Sequence, residues 1–477
     1  MIAEENPGPT MAGGNGAPKI AAENPAAPNL LPLALILGVL LWIFTMTGGR
    51  QVFVKEMLGD AYDSQAEHFL RGDVGVDADA IRHETMIVDG KVRMYFAPFP
   101  AFFRMPLNLV YPSGRGYWSR LSGFCAGMIA LAAFTGLVRM SLRASHLSPR
   151  WRNWVGNACL VGFAFGSPLL LLLGNLSIYG EAIIWGLAWS LAALYFACRS
   201  RNAEGAALTR SLLAFSFCVG FTLLSRVTFA APLFLIAPLL ALRLLRKGQI
   251  LNLAALFLPL AAVLFFHLWL SYAKFGTFRG TSYENYINPT HKEFAQKYGL
   301  FRLERIPRTF ADYFYLRRPK VQQGPPYLKA ERHYYNYPTF YTIPLSETYS
   351  SLLWCSSWIL LGAGVGMALL LRPRGGDWWE RAVAVVLLAQ VIGILSFHAL
   401  AQRYIAEFFP FFVFVFLFFL RKGRATLFYS RLSIIALVVV SVVINTLMTV
   451  SWMLDSDMNV RPETKAMWNT ALKRTPR

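Results

Sequence analysis

Runs of apolar residues, each about as long as a lipid bilayer is thick, recur along nearly the whole chain. A helix crosses a bilayer core with about 20 apolar residues, and a soluble fold cannot bury so many runs of this length. The pattern therefore predicts an all-α polytopic membrane protein with about 11 transmembrane helices. The predicted spans cover residues 30–47, 119–138, 154–174, 179–198, 207–225, 227–245, 251–271, 352–371, 382–398, 406–420 and 432–453.

Basic residues are distributed unevenly among the short loops. Arg and Lys gather after the second, fourth, sixth, eighth and tenth spans, and the positive-inside rule places those loops in the cytoplasm. The protein is thus predicted to be a multi-pass protein of the cell (inner or plasma) membrane, with the N-terminus cytoplasmic and the C-terminus outside. Because the net charge of +20 lies at the ends of spans, it favours anionic membrane lipids as partners and not nucleic acid.

Two connections, residues 48–118 and 272–351, are much longer than the others, and both are predicted to lie outside. Loops of this length are usually functional or disordered, and their aromatic content argues against disorder. The predicted organisation is a disordered cytoplasmic tail at 1–29, a transmembrane domain at 30–453 and an outer tail at 454–477. The interiors of the spans hold almost no charged residues, whereas ion-coupled transporters need them near the midplane. This favours chemistry at the outer surface.

The first outer loop begins with the segment GDAYDSQAEHFLRGD at residues 59–73, which has the periodicity of an amphipathic helix lying along the membrane surface. Acidic and apolar residues fall on opposite faces of this helix. A solvated acidic face and a functional one are both compatible with the pattern. The acidic face carries Asp60, Asp63 and Glu67, and the apolar face carries Leu58, Tyr62, Ala66 and Phe69.

The same loop continues with HETMIVDGKVRMYFAPFPAFFRMP at residues 83–106. Asp89-Gly90 predicts a hairpin turn between short strands at 86–88 and 92–96. The prolines at 98 and 100 predict a stiff connection that returns the chain to the membrane.

Lone arginines stand in two short outer loops, which contradicts the positive-inside bias and requires a reason. They are Arg226, which interrupts one long apolar stretch and demands either a tight hairpin or a re-entrant pair, and Arg403. A guanidinium binds phosphate through two parallel charge-assisted hydrogen bonds, and at the outer interface that phosphate belongs to a lipid. Contact with ordinary headgroups is the alternative. Lys274 and Arg279 have a similar position.

These segments together resemble the GT-C superfamily of membrane glycosyltransferases, which includes protein O-mannosyltransferases and lipid A aminoarabinose transferases. The spacing Asp60-x-Tyr62-Asp63 is similar to the start of the superfamily's outer loop, where an acidic residue acts in catalysis. YFAPFPAFFRMP at 95–106 is similar to a stretch of uncharacterised bacterial members. Weaker likenesses are GFTLLSRVT at 220–228, SYAKFGTFRGTSYE at 271–284 and AQRYIAEFFPF at 401–411.

The resemblance implies an enzyme that moves a sugar from a polyprenyl-phosphate donor to a hydroxyl acceptor on a glycan, lipid or protein, with inversion. Many members carry an adjacent Asp-Glu pair, which this chain lacks, so either Asp60 or Asp63 is the predicted base. The predicted ligands of the donor phosphate are Arg226, Arg403, Lys274 and Arg279, and the predicted substrate pocket contains Glu67, Glu84, Tyr95 and Tyr404, with Tyr334, Tyr335 and Tyr337 as further candidates.

The sequence offers no HExxH motif, no DxD pair in the first loop and no close pair of histidines, so we expect chemistry without a metal or other cofactor. The five cysteines all lie in apolar segments and predict no disulfide framework. Two other functions stay open: a transporter or flippase for a lipid-linked sugar, and a non-catalytic scaffold in envelope assembly.

Overall fold

The computed structural model describes residues 27–280, 282–332, 345–373, 375–422, 428–455 and 460–473. Most of the predicted N-terminal tail lies outside these ranges, as do Tyr334, Tyr335 and Tyr337.

Helices make up most of the described chain, and the fold is that of a polytopic helical membrane protein. The helices are α1 (Leu31–Thr45), α2 (Asp60–Leu70), α3 (Ala78–Ile81), α4 (Phe99–Val110), α5 (Ser119–Arg143), α6 (Pro149–Phe165), α7 (Pro168–Gly174), α8 (Ile178–Ser200), α9 (Gly205–Ser225), α10 (Val227–Arg246), α11 (Ile250–Phe275), α12 (Pro289–Tyr298), α13 (Ile306–Ala311), α14 (Leu352–Cys355), α15 (Ser357–Leu371), α16 (Trp378–Leu395), α17 (Phe409–Lys422), α18 (Phe428–Asp455) and α19 (Pro462–Ala471).

Short strands occur in the outer loops and next to them. Two-stranded antiparallel pairs join β1 to β2, β3 to β4 and β5 to β7, and a parallel pair joins β6 to β8. The strands are β1 (Met86–Val88), β2 (Lys91–Arg93), β3 (Lys320–Val321), β4 (Leu328–Lys329), β5 (Glu331–Arg332), β6 (Leu345–Ser346), β7 (Thr348–Tyr349) and β8 (Ala399–Leu400).

Each predicted span coincides with an apolar helix. Within the described ranges, 9 helical stretches are long and apolar enough to cross a membrane, and α1 and α15 are shorter apolar helices. The helical membrane fold is therefore confirmed, while the count of 11 stays a prediction. α9 and α10 are each long enough to span, and only Arg226 separates them, in extended conformation. This favours the tight hairpin over the re-entrant pair.

The core of the bundle is built around α17. Every residue from Phe409 to Leu420 is buried, whereas in the most apolar window of α11 only 17% of residues are buried inside the protein. α17 therefore forms the centre of the bundle and α11 its periphery, with an apolar surface that suits contact with lipid.

The first outer loop contains the predicted hairpin. β1 and β2 pair antiparallel with Met86 opposite Arg93, and both Asp89 and Gly90 have positive φ, as a type I′ turn requires. The second strand is shorter than predicted. The stiff connection predicted at residues 97–100 leads directly into α4, with Pro98 at the N-cap position and Pro100 in the first turn of the helix.

Helix α2 forms where the periodicity predicts it, but its surroundings differ from the prediction. Residues Ala61 to Ala66 are all buried, so protein covers both its apolar and its acidic face. The interpretation as a solvated acidic face is wrong. The physical reason is that other segments supply a cation to each acidic residue, as described below.

The C-terminal helix α19 packs against the beginning of the first outer loop. Arg120, at the start of α5, donates to the hydroxyl of Thr464 (3.0 Å), to the hydroxyl of Thr47 (2.7 Å) and to the carboxylate of Glu56 (2.7 Å). α19 therefore lies at the same end of the bundle as the first loop, as the predicted topology requires. Which side of the membrane this end faces stays a prediction.

Candidate functional site

Two charged residues of the first loop, Asp63 and Arg104, form a triad with Glu181 of α8. All three side chains are fully buried. Arg104 projects from α4 and donates to Asp63 of α2 (2.5 Å), to Glu181 of α8 and to the hydroxyl of Ser119 (2.9 Å). Burial lowers the pKa of Arg104, but the two carboxylates raise it further, so the net shift is upward and the guanidinium stays charged. The triad fastens two loop helices to the membrane bundle.

The other two acids of α2 also have cationic partners. Lys55 contacts the Oδ2 atom of Asp60 at 2.8 Å, and Arg115 contacts Glu67 at 2.6 Å. These partners offset the repulsion among like charges on one helix face. Asp60 and Asp63 each keep one carboxylate oxygen, Oδ1, without a hydrogen bond to the described residues, but the side chain of Asp60 is 19% exposed whereas Asp63 is completely enclosed.

The two lone arginines lie together at the end of the bundle that carries the first loop, and both face the ring of Tyr404. The Arg226 guanidinium is 5.8 Å from the centre of the Tyr404 ring, and the Arg403 guanidinium is 5.1 Å from it. Arg226 donates from Nε and Nη2 to Glu407 (3.1 and 2.9 Å), and Arg403 donates from Nη1 to Glu347 (2.6 Å). We call Arg226 and Arg403 the arginine pair.

Both members of the arginine pair retain unused donors. The Nη1 atom of Arg226 and the Nη2 atom of Arg403 make no hydrogen bond to the part of the chain that the structure describes. Their side chains are 25% and 11% exposed. Burial lowers the pKa of Arg226, but Glu407 and Tyr404 raise it further, so this guanidinium remains a cation. The pair can therefore accept an anion without losing its carboxylate partners.

Next to the arginine pair, Glu84 is enclosed by three tyrosines from three parts of the chain. The hydroxyls of Tyr95 and Tyr286 each donate to its Oε2 atom at 2.7 Å, and that of Tyr179 donates to Oε1. We call Glu84 and these tyrosines the tyrosine cluster. Burial and the Glu84 charge raise the pKa of Tyr95 and of Tyr286, so their hydroxyls keep the proton that they donate.

Tyr179 joins the tyrosine cluster to the arginine pair. Its hydroxyl contacts Glu84, and the Arg403 guanidinium lies 4.8 Å from the centre of its ring. Tyr283 borders the same region, where burial and the charges of Tyr404 and Glu84 raise its pKa to about 12. The resulting surface combines cations, aromatic faces and tyrosine hydroxyls, which is a suitable lining for a phosphorylated sugar.

Lys274 and Arg279 do not join the arginine pair through any hydrogen bond or ion pair in the described ranges. Lys274 is buried and donates to the Met94 carbonyl (3.2 Å), which attaches the end of α11 to the first loop. The side chain of Arg279 is exposed. Their predicted role as phosphate ligands stays a prediction.

The structure thus groups some of the predicted site residues and separates others. Arg226, Arg403, Tyr404, Glu84 and Tyr95 lie in one region. Within the described residues no hydrogen bond or ion pair joins Asp60, Asp63 or Glu67 to the arginine pair. A connection between the two groups runs through Tyr62 of α2, whose hydroxyl donates to the carbonyl of Ile178 (3.4 Å), the residue before Tyr179. Burial and Glu181 raise the pKa of Tyr62 more than Arg104 and Arg226 lower it.

Sequence reasoning missed the partners of these side chains. Glu181 and Glu407 stand in the first turns of predicted spans and are fully buried. An acidic residue inside an apolar stretch needs a cation close by, and this signal could have suggested the pairs with Arg104 and Arg226. No sequence signal identifies Glu347, Tyr179 or Tyr286. No group of three His, Cys, Asp or Glu residues in the described ranges could hold a metal ion, and metal independence stays a prediction.

Comparisons with known proteins find similarity in structure only. No protein-family model and no curated protein sequence matches the chain. An oligosaccharyltransferase from Archaeoglobus fulgidus aligns over 94% of this chain and 60% of its own, with 12% identity and a TM-score of 0.49. ArnT from Cupriavidus metallidurans aligns over 84% of this chain and 62% of its own, with 13% identity and a TM-score of 0.41.

The protein O-mannosyltransferase Pmt1-Pmt2 complex of Saccharomyces cerevisiae aligns over 67% of this chain and 43% of its own, with 14% identity and a TM-score of 0.36. This chain thus spans less than two thirds of the length of each of these proteins. Identities and TM-scores this low carry no argument about the chemistry of this chain. These solved structures belong to the GT-C superfamily of membrane glycosyltransferases, to which the sequence itself shows a resemblance.

Proposed function

We propose that this protein is a membrane glycosyltransferase that moves a sugar from a polyprenyl-phosphate donor to a hydroxyl acceptor at the outer face of the membrane. The observation that carries the proposal is the arginine pair: two partly buried cations that both lie against the ring of Tyr404, each with an unused donor. Two guanidiniums so placed suit a phosphate with a lipid tail.

The acidic partners of the arginine pair support this assignment. Glu407 and Glu347 fix the planes of the two guanidiniums and leave other edges for phosphate oxygens. As the bond between the sugar and the phosphate breaks, negative charge grows on the leaving phosphate. Fixed donors in a site with little water stabilise that charge most strongly in the transition state.

Asp60 is the better candidate for the base of the two aspartates that the sequence proposes. Each aspartate has one oxygen paired with a cation and one without a hydrogen bond in the described ranges, but the side chain of Asp60 is 19% exposed whereas that of Asp63 is completely buried. In the proposed reaction Asp60 removes the proton of the acceptor hydroxyl while that oxygen attacks the anomeric carbon. The electron pair of the breaking bond passes to the phosphate. A single displacement of this kind inverts the anomeric centre.

The test is consumption of donor by membranes that contain the protein. A panel of radiolabelled polyprenyl-phosphate hexoses, pentoses and amino sugars is added, and loss of label from the donor lipid is followed. We expect Asp60→Asn to slow transfer by about 10²–10⁴-fold and Arg226→Ala by about 10²–10³-fold, the latter with weaker donor binding.

Asp89→Asn is the matched control, since Asn-Gly forms the same hairpin turn and the position lies outside the proposed site. If Arg226→Ala abolishes donor binding while both Asp60→Asn and Asp63→Asn transfer sugar at the normal rate, the catalytic proposal fails and a flippase is favoured. If no member of the panel binds and a partner protein co-purifies, the scaffold is favoured.

A further inference from the structure

A second basic site lies at the opposite end of the bundle from the arginine pair. A crevice of about 390 Å³ opens between the last turns of α8 and the first turns of α9, which is within the usual size range of ligand pockets. α8 begins beside the tyrosine cluster and extends for 23 residues, or about 34 Å, so the two sites are far apart. The crevice is lined by Phe196, Arg199, Ala207, Arg210, Ser211 and Ala214.

The helical periodicity explains why these residues share a surface. Positions 207, 210, 211 and 214 follow the i, i+3, i+4, i+7 pattern of one face of α9, and Phe196 and Arg199 are three residues apart on α8. Small residues of α9 keep the crevice open, while Phe196 gives it an apolar wall. Phe217, one turn beyond Ala214 on the same face, is 48% exposed and continues the apolar surface toward the middle of the membrane.

The two arginines of the crevice have no carboxylate partner among the described residues. Arg210 donates only to the carbonyl of Ala206 in its own helix (3.3 Å), and no ion pair involves Arg199. Their neighbour Arg201 behaves differently, since it contacts Asp377 at 2.5 Å and also Glu380. Asp377 and Glu380 thus pair with Arg201, whereas Arg199 and Arg210 line the crevice without an ion pair to a carboxylate of the described residues.

We propose that this crevice binds an anionic phospholipid of the cytoplasmic leaflet. The phosphate would lie between Arg199 and Arg210, and an acyl chain would follow Ala214 and Phe217. Basic pockets between transmembrane helices on the cytoplasmic side suit such headgroups. The proposed donor phosphate is at the other end of the bundle, so this site does not depend on the proposed function.

The test uses the full-length chain purified in detergent, with native mass spectrometry to measure binding of phosphatidylglycerol and of phosphatidylcholine with the same acyl chains. We expect phosphatidylglycerol to bind more tightly. The double variant Arg199→Gln/Arg210→Gln should weaken its binding by roughly 30-fold, because each basic residue near an anionic surface contributes about fivefold. Phosphatidylcholine binding should change much less.

Arg139→Gln/Arg143→Gln is the control, because it removes the same charge from exposed positions at the end of α5 that is predicted to be cytoplasmic, outside the crevice. Thermal unfolding of all forms verifies that they are folded. The proposal is overturned if both double variants weaken phosphatidylglycerol binding equally, or if neither does. It is also overturned if soluble glycerol phosphate displaces the lipid at similar concentration, since the crevice would then recognise phosphate without a membrane.

Discussion

The buried triad and the arginine pair are both made of arginines and carboxylates, yet they differ in whether the arginines keep terminal nitrogen donors without a partner. In the triad, Arg104 is fully buried and donates to Asp63, Glu181, Ser119 and the Gly59 carbonyl. In the pair, each arginine binds one carboxylate, faces aromatic rings and remains partly accessible. A buried arginine with every terminal nitrogen engaged is a structural fastening, whereas one with unused donors at an accessible surface is suited to bind a ligand.

The largest effect should come from Arg104. Arg104→Ala would leave two carboxylates buried without a cation, which costs about 3–5 kcal/mol and should prevent accumulation of folded protein. Arg104→Lys should not restore it, because an ammonium cannot reproduce the planar fork that reaches acceptors on α2, α5 and α8. Thermal unfolding in detergent measures both, with the exposed Arg71→Ala as control. A normal melting temperature for Arg104→Lys would show that the triad and the pair do not differ as stated.

The next effect concerns Glu84. Glu84→Gln would replace an ionised acceptor of three tyrosine hydroxyls by a neutral amide and should destabilise the contact between the two outer loops by about 1–3 kcal/mol. Limited proteolysis should then cleave residues 276–288 faster, and the KM for donor should rise more than kcat falls. Glu293→Gln, at an exposed position of α12, is the matched control. Equal rates of proteolysis for both variants would show that the tyrosine cluster is not part of the site.

A smaller effect is expected for Asp63. Asp63→Asn keeps an oxygen that accepts from Arg104 but loses the charge, so we expect a stability loss of about 1–2 kcal/mol. Donor consumption per folded molecule should stay within a few fold of normal, in contrast to Asp60→Asn. Consumption is measured after the folded fraction has been quantified by size-exclusion chromatography. The reverse outcome, with Asp63→Asn inactive and Asp60→Asn active, would make the buried triad part of the catalytic site.

The smallest effect is a pH dependence at the exposed edge of the first loop. A hydrogen bond from Ser64 lowers the pKa of Asp77, burial opposes this shift, and His68 and Arg115 lower the pKa further. Because the folded pKa lies below the unfolded one of about 3.9, the stabilisation is present above that value and is lost as the pH falls through the folded pKa. Asp77→Asn should lower the melting temperature by about 1–2 °C at pH 5 and by less at pH 2.5. An equal difference at both pH values would exclude this origin.

Much of the membrane fold could be predicted from the sequence, because a bilayer forces each crossing into a continuous apolar helix. The type I′ hairpin at Asp89-Gly90 was equally predictable, since few residues other than Asn, Asp and Gly accept positive φ there. In both cases the structural requirement acts on neighbouring residues. The pattern of neighbouring residues is therefore enough to predict these elements.

The candidate site could be predicted only in part. The lone arginines could be identified as candidates because they depart from the positive-inside distribution of charge along the chain. Their partners lie far away in sequence: Glu407 is 181 residues from Arg226, and Glu347 is 56 residues from Arg403. Periodicity carries no information about such pairs. For the same reason the sequence left open whether the acids of α2 face water, although each of them meets a cation from another segment.

The contact between α19 and Arg120 has a consequence for the order of biosynthesis. Thr464 is translated 344 residues after Arg120, which at normal elongation rates is roughly 20 to 70 s later. During that interval Arg120 can already bind Glu56, but the first loop lacks the hydrogen bond between Arg120 and Thr464 until the segment that contains α19 reaches it. We therefore expect newly made chains to acquire protease resistance in the first loop only after synthesis is complete, and a bulky fusion at the C-terminus to delay that step.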